Sequence, residues 1–446
     1  MKNLLKCDIM ELTKNTKNHT AKEVFTMVNY STLNHNVKRG ILNFSEKISQ
    51  NLFRPKSKFI SQMIYGILCA QSCHISKIAR SLDEKISLKK TIDRLLRNLH
   101  ELYEWDKISE NYIRKIKLYV SDKTILIFDG SDIVKPSSPK MECISTVRDG
   151  STGKYGEGYH TLGVAALTPE RKMPISVYTR VYSASEPDFV SEDDEVLKAL
   201  RIMSTHFKKS NIRAFDRGYD ANVYFKYLLG NNELFVIRAT KNRNVIYGDK
   251  TVNILALAKR FKGKYLLKFR KKSGIKADCK ISITPIKLPC MSNEMLNLVV
   301  CNGFGKDPMM LITNMQSSDK RLGVVITKVY LLRWRIEEFY GFKKQQFGFE
   351  DFRVRSLRSI RNLDLLLTIA IGYIGMMSEK IDERQTVMEL IHVSKRIRGT
   401  PRFVFYAIAD GLFKVLARCK QGISDMLQRR KRSVQLDFWW NVGMEV

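Results

Sequence analysis

Thr124 to Asp132 reads TILIFDGSD. Thr124 to Phe128 is a short, apolar, β-branched run, the pattern of a buried strand. The run stops at Asp129-Gly130-Ser131-Asp132, which reads as a turn at the strand's C-terminal end. The same pattern returns downstream. Asn211 to Phe215 (NIRAF) is a second abrupt strand, ending at Asp216-Arg217-Gly218-Tyr219-Asp220. A helix from about Ala221 to Leu229 and a strand from Leu234 to Ala239 are expected to follow. Strands alternating with helices specify an α/β fold. A carboxylate at the end of such a strand sits at the sheet edge where ligands bind in these folds.

Outward from these two strands, Gly150 to Gly158 reads as a Gly-rich loop followed by Tyr159-His160. No Gly lies five residues before Gly153 and no Ser or Thr follows Lys154, so the loop is not a nucleotide P-loop. Leu162 to Leu167 and Pro174 to Val181 are strand signals, and an acidic helix is expected around Glu192 to Phe207. Between 241 and 320 the strand signals repeat, at Lys264–Phe269, Lys280–Ile286, Leu296–Cys301 and Met309–Thr313. This block reads as a β-rich insertion, followed by a helix from about Val324 to Gln346. From about Asn362 the chain is helical, and it ends in the basic run Arg429-Arg430-Lys431-Arg432 and in Phe438-Trp439-Trp440.

Upstream, residues 1 to about 50 are polar, and Asn34-His35-Asn36 and Lys38-Arg39-Gly40 read as loop or arm. Phe59, Ile60, Met63, Ile64, Ile67 and Leu68 then recur at helical spacing. Ser76 is a plausible cap for Lys77–Leu82, and Ser87 for a helix reaching about Leu102. The latter has Lys89, Lys90, Arg94 and Arg97 on its polar face. The segment fits a helix-turn-helix reader and a plain amphipathic bundle equally well. Lys77, Arg80, Arg94 and Arg97 are candidates to contact bases or phosphates. The expected division is a helical region at 1–115, an α/β region at 116–375 and a helical region at 376–446.

Composition narrows the partner. The 446 residues are 44% hydrophobic, which excludes global disorder. Lys plus Arg number 77 against 45 acidic residues, a net charge of +32. That excess calls for a polyanion, with nucleic acid ahead of an anionic membrane surface. Met1 to Met10 lacks the apolar core of a secretory signal. Leu365 to Met377 is apolar but interrupted by Thr368, Gly372 and Tyr373, so it reads as a buried helix, and no spanning segment is expected. The eight cysteines are scattered; Cys69, Cys73 and His74 are too few for a zinc site, and buried thiols are expected.

The chemistry rests on carboxylates. Asp129 and Asp216 each close a strand, and Glu337 and Glu338 lie on a later helix. Carboxylates that converge cannot all ionise without cations between them, and hard oxygen donors suit Mg²⁺. Two such ions support phosphodiester cleavage. In Tyr330-Leu331-Leu332-Arg333-Trp334-Arg335-Ile336-Glu337-Glu338-Phe339, continuing to Lys343-Lys344, the steps from Tyr330 to Arg333, Glu337 and Lys344 place four functional groups on one helical face. Glu338 points about 100° away from Glu337. A salt-bridged solvent face would give a similar charge pattern.

The pattern Y-x2-R-x3-E-x6-K, with Arg333 to Phe339 especially close, resembles the signature of cut-and-paste DDE transposases of bacterial insertion sequences. The resemblance covers roughly 120 to 375. It implies a ribonuclease-H-like catalytic core with a β-rich insertion, flanked by helical N- and C-terminal regions. Asp129 in IFDGSD, Asp216 in AFDRGYD and Glu337 would be the catalytic, metal-binding triad, holding two Mg²⁺ ions with Mn²⁺ as a substitute. Tyr330, Arg333 and Lys344 would contact terminal phosphates of the transposon end, and Trp334 would stack on a displaced base. His160 falls where the family often carries a polar residue near the site, and Asp132 and Asp220 read as caps or turn residues. Transposon-end and target DNA would be the partners, a homodimer would form the synaptic complex, and the protein would act in the bacterial cytoplasm at the nucleoid. On sequence alone two other classes stay open: a catalytically inactive DNA-binding regulator with the same fold, and a metal-dependent nuclease without strand transfer.

Overall fold

The computed structural model describes residues 28–427 except 151, 169–170, 271–275, 320, 382–384, 396–400, 419–421 and 425. The N-terminal decapeptide, Arg429–Arg432 and Phe438–Trp440 lie outside the described residues. Five helices come first: α1 (Tyr30–Ile48), α2 (Arg54–Ala70), α3 (Ile75–Leu82), α4 (Leu88–His100) and α5 (Trp105–Ile116). Then follow β1 (Ile125–Val134), β2 (Ser145–Arg148), β3 (Tyr155–Leu167), β4 (Pro174–Tyr182), α6 (Glu192–His206), β5 (Ile212–Phe215), α7 (Asn222–Gly230) and β6 (Phe235–Arg238). The β-rich block supplies β7 (Asn244–Tyr247), β8 (Lys250–Asn253), α8 (Ile254–Ala258), β9 (Tyr265–Arg270), β10 (Lys276–Leu288), β11 (Met291–Asn302) and β12 (Met309–Thr313). The helices α9 (Leu322–Leu331), α10 (Arg335–Phe347), α11 (Leu357–Ser378), α12 (Gln385–Ser394) and α13 (Phe405–Leu416) close the described chain.

The strands form one mixed sheet of order β2-β3-β1-β5-β6-β12-β11-β10-β7-β8, with β4 beside β3 and β9 beside β10. β1, β5 and β6 are parallel, while β3 is antiparallel to both β1 and β4. β12 pairs with β6, so the 241–320 block continues the main sheet edge to edge. Alternation along β1 sends Leu126 and Phe128 into one core and Ile125 and Ile127 into another. The second core also holds Tyr330 and Ile336, so the Ile125/Ile127 face is the one covered by α9 and the start of α10.

Three local expectations are corrected. Residues 34–40 are not a loop: they lie within α1, capped by Asn29, whose side chain accepts from Ser31 N and Thr32 N. Leu33, Val37, Ile41, Phe44 and Ile48 bury one face of that helix, and burial outweighs the polar composition. β1 does not stop at Asp129. It runs to Val134 because β3 pairs with it through Val134↔Gly158, and long-range pairing overrides the turn propensity of Asp-Gly-Ser-Asp. The Gly-rich segment is accordingly strand from Tyr155 onward. A Cβ at Gly158 would lie 2.0 Å from the Ile133 carbonyl oxygen, so glycine there permits close strand pairing.

Other readings hold with small shifts. Ser87 caps α4 through Lys90 N, whereas α3 starts at Ile75 with His74 as its cap and Ser76 inside it. Arg94 is engaged by Glu84 at 2.6 Å and Gln62 at 2.8 Å, while Lys77, Arg80, Lys89, Lys90 and Arg97 are exposed. The helix expected over 324–346 is α9 and α10 joined by a 3₁₀ turn at Leu332–Trp334. α11 is long and apolar enough to cross a membrane, yet 89% of its most apolar window is buried inside the protein. It packs against β4, α2, α4, α5 and α13, and Asn362 on it donates to the Leu99 and Leu102 carbonyls. None of the six described cysteines is in a disulfide, and Cys69, Cys73, Cys279 and Cys301 are buried.

Candidate active site

Parallel register sets Phe128 beside Phe215, and their rings stack at 4.7 Å. The residues after them, Asp129 and Asp216, therefore stand side by side. By strand alternation they turn to the opposite face, toward α9 and α10. Arg333 closes the site from that side. Its Nη1 donates to Asp129 Oδ2 at 3.2 Å, and its Nη2 donates to Glu337 Oε1 at 3.0 Å and lies 3.8 Å from Asp216 Oδ2. One guanidinium thus gathers three carboxylates that are 87 and 121 positions apart along the chain, by their residue numbers. Tyr330 donates to Asp216 Oδ1 at 3.0 Å.

The helical stripe is longer than the four residues that the sequence singled out. Tyr340 lies one turn beyond Glu337, and its hydroxyl donates to the Asp129 backbone carbonyl at 2.8 Å. It fits because Gly163 is the residue opposite Asp129 on β3: a Cβ there would lie 2.5 Å from the Tyr340 hydroxyl. The signal was available, since 330, 333, 337, 340 and 344 form one continuous 3-4-3-4 stripe. Lys344 donates to the Asp132 carbonyl at 2.6 Å and pairs with Glu350 at 2.9 Å, so it braces β1. Next to it, the wholly buried Lys343 pairs with Asp364 of α11, which also accepts from Thr179 of β4 at 2.5 Å. That ion pair fixes the rotation of α10.

Electrostatics follow from this crowding. Burial, with Asp216 and Glu337 nearby, pushes the Asp129 carboxyl up to about 7 against the pull of Arg333. Burial pushes Asp216 the same way, but Arg333, the Arg217 backbone N–H and the Tyr330 hydroxyl outweigh it and hold that carboxyl below its ordinary value. Burial and the neighbouring Asp216 push the Tyr330 phenol up to about 12, so it stays a neutral donor. Burial disfavours the Arg333 cation, yet Asp129 and Asp216 more than offset this and hold it charged.

Trp334 is 44% exposed beside this cluster, with the Arg333 guanidinium 5.9 Å from its ring. Glu338 turns away and pairs with Arg335 at 2.6 Å. Asp132 accepts from or pairs with His160 Nδ1 at 3.2 Å, and Glu192 lies 4.0 Å from the other ring nitrogen. Asp220 is structural: it accepts from Thr240 N and Oγ1 at 2.7 Å and pairs with Arg243. Its role is to anchor the chain leaving β6.

The donor set fits a hard divalent cation. Asp129, Asp216 and Glu337 present carboxylate oxygens around a point that a cationic group already occupies, and one guanidinium leaves their charge under-compensated. Among the described residues no three acidic, His or Cys side chains close directly on one another at metal-holding geometry, because Arg333 stands between these three.

The family called Transposase DDE domain matches residues 120–372, more than half of the chain. The chain belongs to the DDE transposase family. DDE transposases generally use divalent metal ions, and the matched span takes in Asp129, Asp216, Glu337 and the whole helical stripe. The cryo-EM structure of a piggyBac transposase synaptic complex with hairpin DNA is similar in chain path. The TM-score is 0.44 and identity 11%, over 90% of this chain and 85% of that one. No curated protein matches by sequence.

Proposed function

We propose that this DDE transposase is a cut-and-paste enzyme of a bacterial insertion sequence, acting at the nucleoid on transposon-end and target DNA. The observation that carries the reading is the convergence of Asp129, Asp216 and Glu337 within 4 Å of one guanidinium. The central strands β4-β3-β1-β5-β6, in which only β3 runs against the others, support a ribonuclease-H-like core. Residues 116–375 would form the catalytic region, with about 241–320 as its β-rich extension. Residues 1–115 would bind the transposon end, and 376–446 would serve assembly of a homodimeric synaptic complex.

Asp129, Asp216 and Glu337 would hold two Mg²⁺ ions, or Mn²⁺ in their place, which when bound supply an activated oxygen nucleophile and stabilise the leaving oxygen. Tyr330 orients Asp216, and Tyr340 fixes the backbone of Asp129. Arg333 and Lys344 present cations to the terminal phosphates, where charge-assisted hydrogen bonds are strongest. Trp334, exposed at the rim, offers a stacking surface to an unpaired base. The net charge of +32 holds the remaining DNA, with affinity that falls steeply with salt.

The test is Mg²⁺-dependent nicking of a duplex carrying the terminal repeat that flanks the gene. Wild type is expected to nick at the element's end, and Glu337→Gln to bind the duplex without nicking it. Binding without nicking by both proteins overturns the catalytic reading.

A further inference from the structure

The site holds a contradiction. The carboxylates suited to a divalent cation are already partly compensated from within the chain, by a side chain 5% exposed. Arg333 spends both Nη groups on Asp129 and Glu337, while its Nε is buried without an acceptor among the described residues. An unpaired buried donor is a standing cost, which a further acceptor would relieve. Its backbone lies in the 3₁₀ turn Leu332–Trp334, which interrupts the helix between α9 and α10; such interruptions often mark hinges. Trp334, in the same turn, faces solvent.

Resting on the catalytic reading above, we propose that Arg333 is an internal counter-ion that couples metal loading to DNA binding. In the free protein its guanidinium takes the place of a metal ion among Asp129, Asp216 and Glu337. A DNA phosphate at the rim satisfies the guanidinium, including Nε, and draws it off the carboxylates. The carboxylates are then left with excess negative charge, and a divalent cation replaces the guanidinium. Linkage requires the reverse as well: the metal strengthens DNA binding by the same factor. The physical consequence is a nuclease centre that stays weakly metallated until an end is in place.

The experiment measures Mn²⁺ binding to the full chain by calorimetry and by electron paramagnetic resonance, with and without a duplex carrying the flanking terminal repeat. Wild type is expected to bind Mn²⁺ roughly 10-fold tighter with the duplex than without it, the usual size of such coupling. Arg333→Gln is expected to bind Mn²⁺ tightly without DNA and to lose most of the effect of the duplex. Arg333→Lys, whose compact charge cannot bridge three carboxylates, is expected to fall between them. Adding Glu337→Gln to Arg333→Gln should abolish the tight site. Should Arg333→Gln fail to fold, Arg333→Lys beside wild type decides the matter: an undiminished effect of the duplex on Mn²⁺ affinity in that variant overturns the role of Arg333. Equal Mn²⁺ affinity in wild type with and without duplex, matched by Arg333→Gln, overturns the coupling while leaving the metal site intact. No Mn²⁺ binding at this site by any folded variant overturns both the coupling and the catalytic reading.

Discussion

Replacing Asp129 by Asn should make the metal-free protein more stable, and by an amount that shrinks as the pH falls. The Asp129 carboxyl titrates near 7 when folded, pushed there by burial and by Asp216 and Glu337. In the unfolded chain it returns to its ordinary value of 3.8. A folded pKa raised above the unfolded one means that the folded state binds the proton more tightly. Stability from this group is therefore intact below pH ~4 and is lost as pH rises through ~7. At pH 8 the wild type bears the full cost of ionising a buried carboxyl, at most about 4 kcal/mol from the gap between the two values. At pH 5 the folded carboxyl is protonated, and the cost falls to about 1.5 kcal/mol. Asn mimics the neutral acid in shape and keeps an oxygen for Arg333. Urea unfolding of both proteins in EDTA, at pH 5 and pH 8, measures the difference directly, and global charge effects largely cancel between them. A stabilisation at pH 8 that drops by roughly 2.5 kcal/mol at pH 5 is expected. An Asn variant that is less stable at pH 8, or a difference independent of pH, would refute the idea that the site stores electrostatic strain.

Two further predictions concern the supports of the site. Gly163→Ala forces a methyl onto the Tyr340 hydroxyl, so it should cost about 1–3 kcal/mol and disturb the Asp129 backbone; thermal unfolding should show a smaller cost in a Tyr340→Phe background. On β5, the buried Arg213 pairs with the buried Glu233 at 3.1 Å and donates to the Lys208, Lys209 and Asn211 carbonyls. Arg213→Met should therefore lower unfolding stability by about 3–5 kcal/mol, with much of the loss recovered by adding Glu233→Gln.

The parts of the fold that repeat a simple period were legible in the sequence. NIRAF is β5, the acidic helix is α6 with Ser191 as its cap, and Leu365–Met377 lies inside the buried helix α11. The 330–344 stripe told which side chains share a face, and the structure brings Tyr330, Arg333, Glu337 and Lys344 against the two Asp-bearing strands. What could not be read were features fixed by a distant partner. Asp129 to Asp132 has the composition of a turn and is a strand only because β3 reaches Val134. Gly156 and Gly158 read as loop residues, but they face Val134 and Ile133 across a tight pair of strands. α1 was hidden by Asn and Lys, although its apolar residues at 33, 37, 41, 44 and 48 kept helical spacing. That β12 would dock on β6 and extend the main sheet has no local signal at all.

The central claim is that Asp129, Asp216 and Glu337 form a strand-transfer centre. Its most direct test is Mg²⁺-dependent joining of a labelled, pre-cut transposon end into plasmid DNA, wild type beside Glu337→Ala. Joined product from wild type and none from the variant, with both still binding the end, is the predicted result. DNA binding by both with joining by neither, or joining that survives the loss of Glu337, would contradict it.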